Sequence, residues 1–377
     1  MNAIYLDNAA TTNMYPEVIE VMQTSMLENF GNPSSTHQFG RKAKATVETA
    51  RKNIAKHFNV SAAEIIFTSS GTEADNLILY NAVLNLGVTR IITSKIEHHA
   101  VAHTCDFLQK SNNVVIEQLA LDVFGNIDEG HLAERLKESK EKTLVSLMMI
   151  NNEIGNLLDM DRVANLCKLN NALFHSDTVQ AIGHYKIDLQ ATLVDFMVAS
   201  AHKFHGPKGV GFAFFRRGFG ILPMLHGGDQ EKGARSSTEN VHAILGMEKA
   251  LEIAHMVLEE DKSSVESLKT YFMNELKDIS KEIQFNGLSG DLERSSYTIL
   301  SVRFPVKNDM LLFSLDLAGI AVSGGSACQS GSNKGSHVLS EILKDGEEDK
   351  TSIRFSFSKF TKKEEIDFTI SKLREML

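Results

Sequence analysis

Short apolar runs alternate with helix-length segments through the first two thirds of the chain. The run EIIFTS at 64–69 is typical of a buried strand, and the segment TEADNLILYNAVLN that follows it has helical character. Because alternating strands and helices form crossover units, the pattern predicts an α/β fold with a mostly parallel central sheet flanked by helices. Further apolar runs are RIITSK (90–95), TLVSLMMI (143–150), ALFHSD (172–177), VDFMVAS (194–200) and GVGFAFF (209–215). The last two are joined by a short loop, so they are either an antiparallel pair or simply adjacent.

The pattern changes after a long helical stretch from about 239 to 283. The segments that follow alternate between strand-like and helical character: SYTILSVRF (296–304), 309–318, IAVSGG (320–325), 336–344, SIRFSFS (352–358) and a terminal helix. This order predicts a smaller α+β domain at the C-terminal end, with a boundary near 260.

Composition and charge narrow the class of protein. The 377 residues carry a formal net charge of −9, which argues against a nucleic-acid partner because such proteins carry a concentrated basic face. No apolar run reaches the roughly 18 residues that a membrane helix needs, and the N-terminus lacks the pattern of a secretory signal. The three cysteines, Cys105, Cys167 and Cys328, form neither a disulfide framework nor a zinc pattern. We therefore expect a cytoplasmic enzyme with no membrane partner and no permanent metal site.

One cysteine has unusual neighbours. Cys328 lies in SGGSACQSG (323–331), among glycines and serines, whereas a structural cysteine usually has apolar neighbours. Small polar residues are typical of an exposed, mobile loop, which suits a thiol that must move and react. A loop cysteine without any function is the alternative on composition alone.

Two polar motifs follow apolar runs, which is where ligands bind in open α/β sheets. In SSGTEADN (69–76), Gly71 and Thr72 allow an anion to approach a helix N-terminus, although the same residues also form an ordinary capping box. In HSDTVQ (175–180), the Asp177 carboxylate is suited to a protonated ring nitrogen, as in a pyridoxal cofactor, or alternatively to capping a helix.

A third motif, SAHKFHGPKG (200–209), places Lys203 directly after the run VDFMVAS. A lysine held in a packed interior loses solvation, which lowers its pKa and makes the amine nucleophilic, as a Schiff-base lysine requires. A solvated loop lysine is the alternative, and the neighbouring Ser200 and His202 on the same tight turn favour the reactive interpretation. The adjacent histidines of SKIEHHAV (94–101) point in different directions, so at most one is expected to face a site.

Taken together, the chain resembles the cysteine desulfurases, a branch of the class V aminotransferases within the fold-type-I pyridoxal-phosphate enzymes. The resemblance covers nearly the whole length, because the family's motifs occur in order. They are YLDNAATT (5–12), FGNPSSTH (30–37), TSSGTEADN (68–76), EHHAV (97–101), NNEIG (151–155), HSDTVQ (175–180), SAHKFHGPKG (200–209), HGGDQEKGARSSTENV (226–241), SGGSACQSGS (323–332) and IRFSFSKF (353–360).

The resemblance implies a role for each matching residue. Lys203 matches the lysine that holds pyridoxal 5'-phosphate covalently, and Asp177 matches the partner of the pyridine nitrogen. Gln180 lies near the phenolic oxygen, and His98 stacks on the ring and assists proton transfer. The phosphate cradle is implied to contain Gly71, Thr72, Ser200 and His202, with Thr238 contributed by the partner subunit.

The remaining matches concern the substrate and the sulfur. Asn32, Asn152 and Arg354 match residues that orient the cofactor or the substrate carboxylate, which a planar guanidinium binds through two parallel hydrogen bonds. Cys328 matches the cysteine whose thiolate attacks the substrate's sulfur, and a mobile loop would carry that sulfur outward.

The resemblance therefore implies a homodimeric enzyme that converts L-cysteine to L-alanine and passes sulfur to an acceptor protein, most commonly an iron–sulfur scaffold. It also implies a large cofactor-binding domain over 14–260 and a small domain, formed by 1–13 and 261–377, that carries the cysteine loop. A selenocysteine lyase and a general class V aminotransferase are the alternatives. An aminotransferase needs no mobile cysteine, and a non-catalytic relative would be expected to lack Lys203 or Asp177.

Overall fold

The computed structural model describes residues 3–138, 140–324 and 335–377. Its strands are β1 Ile4–Tyr5, β2 Ile65–Thr68, β3 Arg90–Thr93, β4 Val115–Gln118, β5 Thr143–Ser146, β6 Leu173–Asp177, β7 Phe196–Ser200, β8 Gly211–Phe215, β9 Gln284–Phe285, β10 Ile299–Arg303, β11 Ile320–Ala321, β12 Ser323–Gly324 and β13 Ser352–Ser356. Its helices are α1 Pro16–Glu28, α2 Gln38–His57, α3 Gly71–Leu84, α4 His99–Asn112, α5 Glu129–Glu138, α6 Met160–Leu169, α7 Val241–Met256, α8 Leu258–Ile279, α9 Leu311–Leu317, α10 His337–Ile342 and α11 Lys363–Met376. None of the helices in these ranges combines the length and the apolar character required to cross a membrane.

The central sheet has seven strands in the order β2-β8-β7-β6-β5-β3-β4. All neighbouring strands are parallel except β8, which is antiparallel to both β2 and β7. The predicted mostly parallel sheet is thus confirmed, and the pair left open by the sequence is antiparallel. The inner strands β7 and β8 are buried along their whole length, since helices cover both faces, and this explains their continuous apolar runs.

Two elements differ from the expectation. The helical stretch predicted from about 239 to 283 is two helices, α7 and α8, which meet at Val257, whose φ of −107° is outside the helical range. The strand β4 was not predicted, because at the edge of the sheet it is only partly buried and its sequence VIEQ has no apolar run.

A second, smaller sheet lies in the C-terminal third. It is antiparallel in the order β12-β13-β10-β9, and the N-terminal strand β1 pairs in parallel with β11 beside it. The apolar side chains of Ile4 and Leu6 accordingly pack in the same core as those of Val265 to Leu373. A separate core lies beneath the central sheet. The domain limits at 13 and 260 stay a prediction.

A buried ion pair fixes the loop that precedes α7. Glu231 is 6% exposed and accepts hydrogen bonds from Arg51 at 2.6 and 2.8 Å, and its Oε2 also accepts from the backbone N–H of Phe67 at 2.9 Å. Glu231 and Lys232 have φ values of 48° and 58°, a left-handed conformation that non-glycine residues rarely adopt. The pair therefore holds a strained loop against the end of the central sheet.

We expect Glu231→Gln to lower the free energy of unfolding by about 3 kcal/mol, because it leaves the Arg51 charge buried without its main partner. Glu48→Gln is the matched control. Glu48 also accepts from Arg51, at 3.1 Å, but its side chain is 38% exposed, so we expect a loss below about 1 kcal/mol. Denaturant titration of the two variants measures the difference, and equal losses would contradict the role given to Glu231.

Candidate active site

A cavity of about 390 Å³ opens where the parallel strands of the central sheet end. Its volume falls in the range of small-molecule sites. Of the residues that the sequence analysis selected, the cavity is lined by Gly71, Thr72, His98, Asn152, Asp177, Gln180, Ser200, His202, Lys203 and Arg354. Five of the motifs quoted above, all next to the central sheet, thus contribute residues to this one site, and a sixth motif contributes Arg354 from the small sheet.

Lys203 reaches the cavity from a short 3-10 turn, Ala201–Lys203, directly after β7. Its Nζ donates hydrogen bonds to the backbone oxygens of Ala9 at 2.6 Å and Ala10 at 3.0 Å. Gln180 donates from Nε2 to the same Ala9 oxygen at 2.9 Å. The end of β7 therefore brings Lys203 to the cavity, and the N-terminal segment (residues 5–12) fixes the position of its amine.

Asp177 is the last residue of β6 and is 5% exposed. Its Oδ1 accepts from the backbone N–H of Val179 at 2.9 Å, which stabilises the carboxylate in a buried position. A carboxylate oxygen of Asp177, a carboxylate oxygen of Asp75 and a ring nitrogen of His98 lie within 4.8 Å of one another. The carboxylate predicted to hold a ring nitrogen and the imidazole predicted to stack on the ring thus face the same space.

His98 caps the N-terminus of α4, and its Nδ1 accepts from the backbone N–H of Ala100 at 3.1 Å. Burial lowers the pKa of His98, while the charge of Asp177 opposes that shift. A neutral imidazole that accepts at Nδ1 carries its proton on Nε2. His98 is therefore a hydrogen-bond donor through its Nε2–H group.

A helix N-terminus also lines the cavity. Gly71 begins α3, whose first backbone N–H groups have no acceptor within the helix. A Cβ at Gly71 would lie 2.6 Å from the side chain of Val179, so only glycine allows this close approach. Burial lowers the pKa of the adjacent His202 to about 4, and its Nδ1 lies 3.1 Å from the Thr11 hydroxyl.

Arg354, on β13, brings the one guanidinium that lines the cavity within the described residues. It donates from Nη2 to Asp7 at 2.9 Å and from Nη1 to the backbone oxygen of Asn152 at 2.7 Å. Its buried Nε has no hydrogen-bond partner among the described residues. Arg354 is thus the residue of the cavity wall whose planar guanidinium is suited to bind a carboxylate.

Two of the predicted site residues lie elsewhere, and a third cannot be placed. Asn32 accepts from the Ser34 backbone at 2.9 Å and does not line this cavity, and Thr238 lines a different pocket beside Thr68 and Ser69. Cys328 lies outside the described residues. The roles given to these residues stay predictions.

Three further residues that line the cavity were not selected from the sequence: Asp75, Glu153 and His337. The expectation that at most one of the adjacent histidines faces a site was wrong, because His98 and His99 both line the cavity. Asp75 and Glu153 stand inside quoted motifs, SSGTEADN and NNEIG, so attention to every polar position of a motif would have found them. His337 has no sequence signal, because it reaches the site from α10 in the C-terminal part of the chain.

The donor set fits pyridoxal 5'-phosphate. The cavity offers a carboxylate at a strand end for the ring nitrogen, an amine for the covalent link, and a helix N-terminus with no Cβ for the phosphate. Asp177, Lys203 and Gly71 supply these three features.

Comparisons with known proteins agree with this geometry. The family model for class V aminotransferases (aminotransferase class-V) matches residues 4–368. The chain is 40% identical to the cysteine desulfurase IscS of Dictyoglomus turgidum, over 99% of this chain and 94% of the relative. It is 37% identical to the cysteine desulfurase IscS of Methanosarcina thermophila, over 100% of this chain and 92% of the relative. A solved structure described as a NifS-like protein superimposes with a TM-score of 0.89 at 35% identity, covering 99% of both chains.

The chain therefore belongs to the class V aminotransferase family. Within that family it groups with the cysteine desulfurases, whose members depend on pyridoxal 5'-phosphate, as the resemblance implied.

Glu153 gives the site a pH dependence that can be measured. Burial raises the pKa of Glu153 to about 7, although the Ser336 hydroxyl and the charge of Arg354 oppose the shift. Below pH 7 the carboxyl is neutral, and above pH 7 it adds a negative charge near the guanidinium that would bind a substrate carboxylate. We expect KM for L-cysteine to rise between pH 6 and pH 8 in the native enzyme, and the factor by which it rises should be roughly threefold to tenfold larger than the factor in Glu153→Gln.

The native enzyme and the Glu153→Gln variant should have the same KM near pH 6, since the glutamic acid and the glutamine at position 153 are then both uncharged. The ionisation of L-cysteine itself affects both equally and cancels in the ratio. Parallel KM profiles across this pH range would contradict the role of Glu153.

Proposed function

We propose that this cysteine desulfurase converts L-cysteine to L-alanine and holds the released sulfur as a persulfide on Cys328. The acceptor is an iron–sulfur scaffold protein. The observation that carries the proposal is the convergence of Lys203, Asp177 and Arg354 on one cavity. These side chains suit an amine exchange, a ring nitrogen and a substrate carboxylate, which an amino-acid substrate and a pyridoxal cofactor require together.

Lys203 is the group that exchanges protons with the substrate. Pyridoxal 5'-phosphate, when bound, supplies an electron sink for the charge that develops at the substrate Cα. The Lys203 amine takes the Cα proton at Nζ. The oxygens of Ala9 and Ala10 accept hydrogen bonds from that nitrogen, so they keep it within reach of the cavity. His98 lies close to Asp177 and offers its Nε2–H group as a hydrogen-bond donor to the bound molecule.

Arg354 orients the substrate. Its guanidinium binds the L-cysteine carboxylate, and Asp7 and the oxygen of Asn152 fix the guanidinium plane. Asn152, which lines the same cavity, completes the binding of the amino acid and cofactor. The role that the resemblance implies for Asn32, which lies outside this cavity, stays a prediction. A carboxylate held in this way leaves the substrate side chain as the freely positioned part of the molecule.

The sulfur is transferred to Cys328. The Cys328 thiolate attacks the sulfur of the substrate, a sulfur–sulfur bond forms, and the carbon–sulfur bond breaks with its electron pair remaining on carbon. Protonation of that carbon fragment yields alanine. Among the described cysteines, Cys105 and Cys167 are each 1% exposed, and burial raises the pKa of both thiols, so neither is suited to the attack.

The protein acts as a homodimer in the cytoplasm. Support for the dimer comes from large apolar side chains that are exposed on α1, on α2 and between them: Ile19 49%, Met26 54%, Leu27 77%, Phe30 69% and Phe39 46%. Patches of this kind mark interaction surfaces. Thr238 completes the phosphate cradle of the partner subunit, in agreement with its position outside the cavity of its own chain.

We expect Cys328→Ala to bind the cofactor and L-cysteine, because Lys203 and the ring site are unchanged, but to lose more than about 99% of alanine production. Alanine formation and the visible spectrum of the cofactor measure the two properties separately. Cys167→Ala is the control, since its buried thiol takes no part and persulfide should still form. Alanine production by Cys328→Ala near the native rate would show that another thiol or direct elimination does the work.

We expect Thr238 to be supplied across the dimer, and a mixed dimer tests this. A Thr238→Ala chain is combined with a Lys203→Ala chain, so that the one site with a lysine takes its threonine from the partner. That site should bind the cofactor as tightly as the native enzyme does, whereas the Thr238→Ala homodimer should bind about tenfold more weakly. Equal affinities in the mixed dimer and in the Thr238→Ala homodimer would mean that the contact lies within one chain.

A further inference from the structure

Asp75 is a buried acid that no step above uses. It lies on α3 and is 1% exposed. One of its carboxylate oxygens lies within 4.8 Å of a carboxylate oxygen of Asp177 and of a ring nitrogen of His98. Its Oδ1 has no hydrogen-bond partner among the described residues. Unpartnered buried oxygens are rare because each costs the full loss of hydration, so this atom needs an explanation.

The explanation lies in the facing imidazole. His175 is fully buried on β6, and its Nε2 also lacks a hydrogen-bond partner within the described residues. The two unpartnered atoms, Asp75 Oδ1 and His175 Nε2, face each other at 3.4 Å. A single proton between them satisfies both, and it belongs either to the imidazole or to the carboxyl. The contact of His175 Nδ1 with the Ser146 hydroxyl at 2.9 Å fits both cases, since a hydroxyl donates or accepts.

The surrounding charges decide between the two cases. Asp75 is buried, the negative charge of Asp177 acts on it, and within the described residues no lysine or arginine forms an ion pair with it. Glu97 is a second neighbouring acid, and burial raises its pKa well above the usual range. Further titratable groups close to Asp75 in the described part of the chain include His175, His98 and Cys105. Two buried carboxylates at this separation cannot both be ionised at low cost, so one of them keeps a proton.

Asp177 is the better anion of the two. It accepts a backbone N–H from Val179 at 2.9 Å, whereas no donor hydrogen bond to Asp75 is present in the described residues. In agreement with this assignment, burial raises the pKa of Asp75 well above its usual range and lowers the pKa of His175 to about 3. The imidazole is thus a neutral acceptor, and the proton lies on the carboxyl.

We propose that Asp75 is a neutral carboxylic acid that donates a hydrogen bond to Nε2 of His175 and leaves Asp177 as the anion of the pair. Asp75 is then a positioning residue for the cofactor ring: as a donor turned toward His175, it does not compete with Asp177 for the ring nitrogen. The inference rests on the proposed role of Asp177 for its functional meaning, but the protonation of Asp75 is measurable independently.

Infrared difference spectroscopy of the holoenzyme at pH 7.5 tests the proposal directly. A protonated carboxyl gives a C=O band apart from the carboxylate bands, and we expect Asp75→Asn to lose one such band relative to the native enzyme. Glu97→Gln is the matched control, because burial also raises the pKa of Glu97, so its replacement removes a different C=O band and leaves the Asp75 band in place. An Asp75→Asn spectrum that loses only carboxylate absorption would overturn the proposal.

The pH dependence of unfolding gives a second measurement that a purely structural role would not change. The unfolded chain releases the Asp75 proton above a pKa of about 3.9, whereas the folded chain keeps it, so the folded state binds one more proton. Stability of the native enzyme should therefore fall with rising pH relative to Asp75→Asn. We expect the ratio of their unfolding constants to rise about tenfold per pH unit between about pH 5 and pH 7. Glu97 cancels in this ratio, and parallel pH profiles would contradict a protonated Asp75.

The outcomes also separate this inference from the proposed function. The visible spectrum of bound cofactor and alanine formation report on the proposed function. The infrared band and the unfolding ratio report on Asp75 alone. A native enzyme that binds no cofactor would contradict the proposed function, while an active enzyme with parallel pH profiles would contradict only the proton on Asp75.

Discussion

The N-terminal segment (residues 5–12) is the constraint on which the rest of the site depends. Its carbonyl oxygens at Ala9 and Ala10 accept from Lys203, and Asp7 pairs with Arg354 at 2.9 Å. The first pair of contacts fixes a group carried by the central sheet, and the last fixes a group carried by the small sheet. The segment thus holds Lys203 and Arg354 in fixed positions relative to each other, although the two residues belong to parts of the chain with different hydrophobic cores.

Charge inside the cavity follows from burial. Burial lowers the pKa of His98 and of His202, so their rings are neutral near pH 7. Among the described residues that line the cavity, Lys203 is the lysine and Arg354 the arginine. A ligand with one anionic group for the guanidinium and another for the helix N-terminus matches this distribution, which is the charge pattern of an amino acid joined to a phosphorylated ring.

The sequence was informative where the chemistry follows a buried strand directly. Asp177 is the last residue of β6, Ser200 is the last residue of β7, and Lys203 ends the turn after it, so an apolar run pointed to each. Apolar periodicity encodes which residues are buried, but not which distant loop a strand end meets. For this reason His337 was missed: its place in the cavity depends on α10, which packs against the loops beside Ile96 and Ile154 through long-range contacts.

The same limit applies to the edge strand β4 and to the break between α7 and α8. β4 is held by pairing with β3 rather than by an apolar face of its own, so composition carries little trace of it. The break at Val257 occurs without glycine or proline, in a stretch whose residues all tolerate a helix. Motif order nevertheless identified the correct family, because the spacing of many short motifs is more specific than any one of them.

The pairing of Asp7 with Arg354 spans 347 positions of the chain. A ribosome adds roughly 5 to 20 residues per second, so Asp7 is synthesised about 20 seconds or more before its partner emerges. The central sheet has time to form during this interval, whereas the carboxylate-binding end of the cavity has to wait for the completed polypeptide. The ion pair between Asp7 and Arg354 therefore forms late in biogenesis, and a truncated translation product lacks the guanidinium even where its core is already folded.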